Sequence, residues 1–177
     1  MIPDPVSCVN WTAFTFFQKG LPLIYAGQEY GADHLPSLFD KDDVFIGKDG
    51  KRGLCLKGYR IETAPTEDGV TATAYEQDNI GSTLLIPLIQ KLAEIKRDPI
   101  FTDSVYHVKA HAESVLIATH EKDGKKALGV FPVGAHKGYV EVDFPDGMYT
   151  NLIDGEPVEV FRGGLKAGVF PIILMTE

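Results

Sequence analysis

The sequence predicts an α+β chain in two parts: a helix feeding a buried strand near the N-terminus, then an antiparallel β-sandwich beginning near residue 100. Three observations carry that prediction. Residues 10–18 run directly into a continuous apolar stretch, residues 21–26, bounded by Gly20 and Gly27, and such a stretch suits a parallel strand covered on both faces. Leu85, Leu88, Ile89, Leu92 and Ile95 then recur at helical spacing. Beyond Pro99 the chain breaks into short apolar-rich segments separated by Asp-Gly pairs, the texture of an antiparallel sandwich.

In the first helix Trp11, Ala13, Phe14, Phe16 and Phe17 leave almost no polar face, which marks a helix buried between neighbours, and Gly20 and Pro22 end it. Helix, turn and strand form an αβ unit. In isolation it leaves Trp11, Phe14, Phe17, Leu23 and Ile24 uncovered, so other elements must pack on it. Residues 31–81 are the least regular part; Asp49-Gly50 and Asp68-Gly69 mark turns, and alternation in residues 58–62 and 70–75 predicts a small hairpin. The second helix begins near Thr83 and stops at Asp98-Pro99, with Lys91, Lys96 and Arg97 placed to favour its negative end. A boundary near Ile100 divides residues 1–99 from an all-β domain over residues 100–177. Strands are predicted over residues 104–109, 114–120, 127–132, 139–144, 149–152, 158–161 and 169–175, with turns at Asp123-Gly124, Asp146-Gly147 and Asp154-Gly155.

A chain of 177 residues can bury one respectable core or two small ones, and its 44% apolar and 24% charged residues are those of a globular protein. The net charge of −8 argues against nucleic acid and anionic membranes as partners and admits a neutral ligand such as a sugar. Cys8 and Cys55 are too few for a disulfide framework and are expected as reduced, structural thiols. No apolar run approaches the ~20 residues that span a bilayer, and no secretory leader pattern opens the chain, so a cytoplasmic location is expected. Asn10-Trp11-Thr12 matches a glycosylation acceptor by chance, inside a buried helix.

The carboxylates near the end of the predicted strand are Glu29, Asp33, Asp40, Asp42 and Asp43. Asp40-Lys41-Asp42-Asp43 lacks the spacing and glycine pivot of a calcium loop and reads as a solvated acidic turn. His107 and His111 have the spacing of a helical metal pair, but alternation around His107 predicts a strand, on which they do not converge; no metal site is expected. The glycines lack the setting that cradles phosphate and the serines lack a Gly-x-Ser-x-Gly elbow, so neither nucleotide binding nor nucleophilic catalysis is supported and no cofactor is expected. Tyr106, Phe131, Tyr139 and Tyr149 would stack on sugar rings only as an exposed row; core packing is the default.

The run Lys19-Gly20-Leu21-Pro22-Leu23-Ile24-Tyr25-Ala26-Gly27-Gln28-Glu29 resembles the last barrel strand of the α-amylase family, family 13 of the glycoside hydrolases. Pro36-Ser37-Leu38-Phe39-Asp40-Lys41-Asp42 is similar to the stretch that follows Gly-Gln-Glu in many of these enzymes. Pro87-Leu88-Ile89-Gln90-Lys91-Leu92-Ala93-Glu94-Ile95-Lys96-Arg97-Asp98-Pro99 is similar to their final barrel helix, and Asp146-Gly147-Met148-Tyr149-Thr150-Asn151-Leu152-Ile153-Asp154-Gly155 to a strand and turn of their domain C. The resemblance implies a terminal βα portion of a (β/α)8 barrel, with an unusual insertion at about 43–82, followed by a domain C sandwich. It implies a structural strand motif in Gly20, Pro22, Tyr25, Gly27 and Glu29, and a substrate-cleft rim at Gln28, Glu29 and His34.

The family's Asn-His-Asp strand end, its nucleophilic Asp and its acid/base Glu have no counterpart here, and a whole barrel takes roughly 250 residues. The chain is therefore expected to be catalytically silent by itself: the C-terminal portion of a glycosidase, meeting α-glucan or maltooligosaccharide through the parent enzyme and stabilising its barrel. The other reading is an autonomous glucan-binding or barrel-completing module without hydrolase activity. A third places an activity unrelated to sugars in the insertion. Apolar faces left open on the barrel portion predict self-association.

Overall fold

A computed structural model describes residues 5–24, 44–46, 52–56, 59–66, 69–76, 80–111, 114–134 and 137–177. These fall into two compact units, one over Ile24–Thr83 and one formed by Ile2–Leu23 with Leu84–Glu177.

The first unit is an antiparallel meander of β1 (Val44–Ile46), β2 (Arg52–Leu56), β3 (Tyr59–Thr66) and β4 (Gly69–Glu76), paired in chain order. The hairpin predicted from alternation is the β3–β4 pair, which runs from Tyr59 opposite Glu76 to Thr66 opposite Gly69. Pro65 sits in β3, a central strand, but β2 pairs only with Tyr59 and Arg60. The proline therefore lies where β3 needs no donor on that side.

The second unit has three layers. Helices α1 (Pro5–Phe17) and α2 (Ile80–Ile95, its later turns belonging here) lie on one sheet, which lies on another. The first sheet has the order β12-β7-β6-β5, from β5 (Val105–His111), β6 (Val115–Lys122), β7 (Lys125–Phe131) and β12 (Ile172–Met175). The second has the order β8-β11-β10-β9, from β8 (Gly138–Glu141), β9 (Gly147–Thr150), β10 (Pro157–Phe161) and β11 (Gly164–Ala167). Every pairing is antiparallel.

Side-chain alternation explains the layering. Val115, Ile117, Leu128, Val130, Ile172 and Leu174 point into the sandwich, where they meet Val140, Val160 and Leu165. The residues between them, Ala118, Ala127, Phe131 and Ile173, point the other way and meet Val9, Ala13, Phe16, Phe17, Leu88 and Leu92 of the helices. Both faces of this sheet are covered, so β7 reads Ala127-Leu128-Gly129-Val130-Phe131 without a polar break. Gly129 makes the helix approach possible: a β-carbon there would lie 2.4 Å from the Phe131 ring and 3.2 Å from Phe17.

The turns follow local chemistry. Asp123 and Gly124, both at positive φ (51° and 83°), close the two-residue β6–β7 hairpin as expected. The corresponding β10–β11 turn is Arg162-Gly163 (φ 50° and 71°), and the Asp146 carboxylate anchors it by accepting from Arg162 N at 2.9 Å and Gly163 N at 3.0 Å. Asp146 thus serves another hairpin rather than forming one. β11 was not expected, and the strand predicted over residues 169–175 begins only at Ile172. Asp98 ends the α2 segment by capping a 3-10 turn, Pro99–Phe101, with Oδ1 accepting from Ile100 N at 2.9 Å.

One expectation is corrected. The described part of the predicted buried strand, residues 21–24, forms no strand, and Leu21 and Leu23 are 93% and 84% exposed. A parallel strand requires a neighbour to pair with, and no described element supplies one. By contrast Phe17, which the αβ unit alone would leave open, is buried under the β domain.

Candidate functional site at the joint of helices and sheet

Gln28, Glu29 and His34, with Tyr25 and Gly27 of the strand motif, lie outside the described residues, as do residues 40–43. Of the motif only Gly20 and Pro22 are seen: Gly20 takes the left-handed conformation (φ 90°) just after α1, and Pro22 is half-buried. The polar constellation that the structure does assemble is at the C-terminal end of α1, where it abuts β6.

His120 anchors it. Alternation along β6 turns His120, with Leu116 and Ala118, toward the helices, and its side chain is fully buried. Its ring is packed against Phe17, Tyr106 and Phe101 at centroid distances of 4.9, 4.7 and 5.1 Å. Nε2 lies 2.6 Å from the Phe17 carbonyl and Nδ1 lies 2.7 Å from Ser104 Oγ. A carbonyl can only accept, so Nε2 carries the proton, and in the neutral ring Nδ1 accepts from the serine hydroxyl; this assigns the tautomer from its partners. Burial pushes the imidazole pKa down, the bond to Phe17 pushes it back up, and Lys96 and Lys19 nearby lower it further.

The reason for a donor here is the helix end. The last carbonyls of a helix lack partners within it and carry its negative pole. His120 serves the Phe17 carbonyl, the Lys96 ammonium donates to Gln18 O, and Lys19 Nζ donates to Ser104 O at 2.7 Å. Lys96, partly withdrawn from water, has its pKa lowered by that burial and stands 5.8 Å from the Phe101 ring centroid.

Two buried amides fasten the same layers. Asn10 Nδ2 donates to Val6 O at 2.9 Å and to Val169 O at 2.8 Å, joining α1 to the segment before β12. Asn151 Oδ1 accepts from Ile173 N at 2.9 Å and Ile153 N at 3.3 Å, joining the β9–β10 loop to β12. Asn10 Oδ1 and the Tyr106 hydroxyl are buried without partners, and burial raises the tyrosine pKa. Cys8, a free half-buried thiol in α1, likewise has its pKa raised by burial.

Imidazole, hydroxyl and ammonium groups meet at the end of α1, and their bonds go to backbone carbonyls or to one another. Retaining glycoside hydrolysis instead requires two carboxyl groups ~5 to 5.5 Å apart. The bonds at the joint fasten the end of α1 to β6 and to the segment before β5. His107 and His111 lie on β5, where four residues span ~13 Å, so they do not converge. Of the four aromatic residues considered for stacking, Phe131 is buried, Tyr106 and Tyr149 are half-buried, and Tyr139 alone stands out, 56% exposed.

Residues 107–174 match the family described as Bacterial Alpha amylase C-terminal domain. The fold is similar to an alpha-amylase from Lactobacillus plantarum, with a TM-score of 0.68 and 26% identity over 99% of this chain and 34% of that one. The chain is thus similar to the C-terminal portion of alpha-amylases. The maltogenic alpha-amylase AmyB from Thermotoga neapolitana shares the fold (TM-score 0.62, 18% identity, 97% of this chain and 36% of that one). So does AmyP, solved in complex with maltose (TM-score 0.60, 18% identity, 95% and 34%). The chain spans about a third of the length of each of these proteins. A search of curated proteins returns no match. The sandwich of β5 to β12 is thus an amylase-type C-terminal β domain, and His120 belongs to it. Among the described residues no helix is long and apolar enough to cross a membrane.

Proposed function

We propose that this chain is the non-catalytic C-terminal portion of an amylase-like glycosidase acting on α-glucosidic carbohydrate, and that its β domain stabilises the barrel by packing on the barrel's terminal helices. The observation that carries the reading is the layer of α1 and α2 on the amylase-type sheet, with one continuous core through Phe17, Leu92, Phe101 and Phe131. In this reading the segment holding Gly20, Pro22, Tyr25, Gly27 and Glu29 pairs as the closing barrel strand only when the rest of the barrel supplies its neighbour, and Gln28, Glu29 and His34 then line the cleft rim. Leu21 and Leu23, now open to solvent, are covered by the rest of the barrel or, without it, by another copy.

Fusion to the upstream two thirds of the Lactobacillus plantarum alpha-amylase tests the reading, since the fold matches that enzyme along nearly the whole chain. The fusion is expected to hydrolyse soluble starch, and the chain alone to show no turnover of maltooligosaccharide. Hydrolysis by the isolated chain, above a blank preparation, would overturn the proposal.

A further inference from the structure

The outer face of the β8-β11-β10-β9 sheet carries a group of side chains that the joint does not use. Val140, Val160 and Leu165 point into the sandwich, so Tyr139, Glu141, Phe161 and Lys166 point outward, and all four are exposed. Register brings them together. Gly164 lies opposite Glu141 on one side and Phe161 on the other, and Tyr139 lies opposite Lys166. Residues in register share a face, so these five positions form one patch with glycine at its centre.

The patch is preorganised. A β-carbon on Gly164 would come within 2.3 to 2.4 Å of the Tyr139 ring, so the ring lies down over the bare glycine backbone rather than standing off the sheet. The Tyr139 hydroxyl donates to Phe161 O at 2.6 Å, which fixes the tilt of the ring. Its inner side covers the glycine, a sufficient structural purpose. Its outer side is an immobilised aromatic disc open to solvent, with a ligand's usual cost of ordering a loose side chain already met. Glu141 follows on the same face of β8 and Lys166 lies directly across from Tyr139 on β11, while the Arg162 guanidinium lies 5.1 Å from the Phe161 ring centroid.

A ligand for this surface needs a flat C–H face about as large as one six-membered ring, with polar groups around its edge to meet acceptors and donors. A pyranose has both. A polyanion is disfavoured by the net charge of −8, and a lipid surface by the charged side chains set among the rings. We propose that this sheet face is a surface-binding site for a neutral oligosaccharide of α-linked glucose, with one pyranose stacked on Tyr139 and its hydroxyls bonded to Glu141 and Lys166. The α-linkage rests on the amylase reading above; the pyranose platform rests on the geometry.

The test is a titration of the 15N-labelled 177-residue chain with maltopentaose and, separately, cellopentaose, following backbone amides. Saturable shifts at Tyr139, Glu141, Phe161, Gly164 and Lys166 are expected with maltopentaose. Tyr139→Ala should weaken binding about tenfold, whereas Tyr139→Phe, which keeps the ring, should stay within about threefold. Because Tyr139→Ala also uncovers Gly164, Glu141→Ala is the second variant; it leaves the ring and the core in place and should weaken binding several-fold. Absent shifts, shifts confined to other faces, or indifference to both alanine variants would overturn the site and leave the starch-hydrolysis test of the amylase reading untouched. A response to cellopentaose equal to or stronger than that to maltopentaose would overturn the α-linked assignment.

Discussion

Replacing His120 by Gln should remove an acid sensitivity that the wild-type fold owes to one buried ring. In the folded chain the imidazole is neutral, pressed among three aromatic rings and near the Lys96 and Lys19 ammonium groups, and its pKa is pushed below the ordinary histidine value. In the unfolded chain it titrates near the ordinary value, ~6.5. Between those two pKa values the unfolded state binds a proton that the folded state does not, so stability present above pH ~6.5 is lost as pH falls. The steepest loss is about 1.4 kcal/mol per pH unit from this residue, ending once the folded-state pKa is passed. Gln can still donate an N–H toward Phe17 O, but it carries no proton to gain. It costs about 1 to 3 kcal/mol at neutral pH through lost ring packing. Urea unfolding at pH 7.0, 6.0 and 5.0 measures both effects, because the carboxylates common to the two proteins cancel in the difference. The wild type should lose its advantage over His120→Gln progressively on acidification. An advantage constant across that range would refute the neutral, buried assignment, and one that grew in acid would reverse its sign.

Three further outcomes follow from the packing. Gly129→Ala sets a methyl group against the Phe131 ring in a core closed on both sides, and should cost about 1 to 3 kcal/mol by thermal unfolding; an unchanged midpoint would show that the ring has room to move. Asn151→Ala leaves the buried Ile173 N–H without its acceptor and should cost about 2 to 3 kcal/mol, read as a lower urea midpoint with unchanged slope. Leu21 and Leu23, with Trp11 and Ile24 (39% and 40% exposed), should make the isolated chain self-associate with concentration, and the double variant Leu21→Ser, Leu23→Ser should lessen it. A monodisperse wild-type monomer by light scattering at high concentration would sink that expectation.

Much of the β domain was legible because alternation and turn chemistry are local. Six of its eight strands lie close to where apolar spacing put them, and Asp123-Gly124 closes its hairpin in the conformation that the residue pair favours. β11 was missed because Gly164-Leu165-Lys166-Ala167 holds one large apolar residue; the Arg162-Gly163 turn and the Asp146 carboxylate from a distant loop create it. His120 gave one faint signal, a polar residue on the face that otherwise holds Leu116 and Ala118, and nothing in the sequence says that a helix end is waiting for it. The stretch at residues 21–26 shows the opposite limit. Its composition predicts cover on both sides, because apolarity is a property of the residues, but where cover would come from is a property of neighbours. Phe17 and Leu23 were equally apolar and equally in need; the sheet reaches Phe17 and leaves Leu23 in solvent. A sequence with unmet apolar demand at one point and satisfied demand six residues earlier marks the edge of a packing surface, and in this chain that edge falls between Phe17, where the helix resting on the β domain ends, and Leu21.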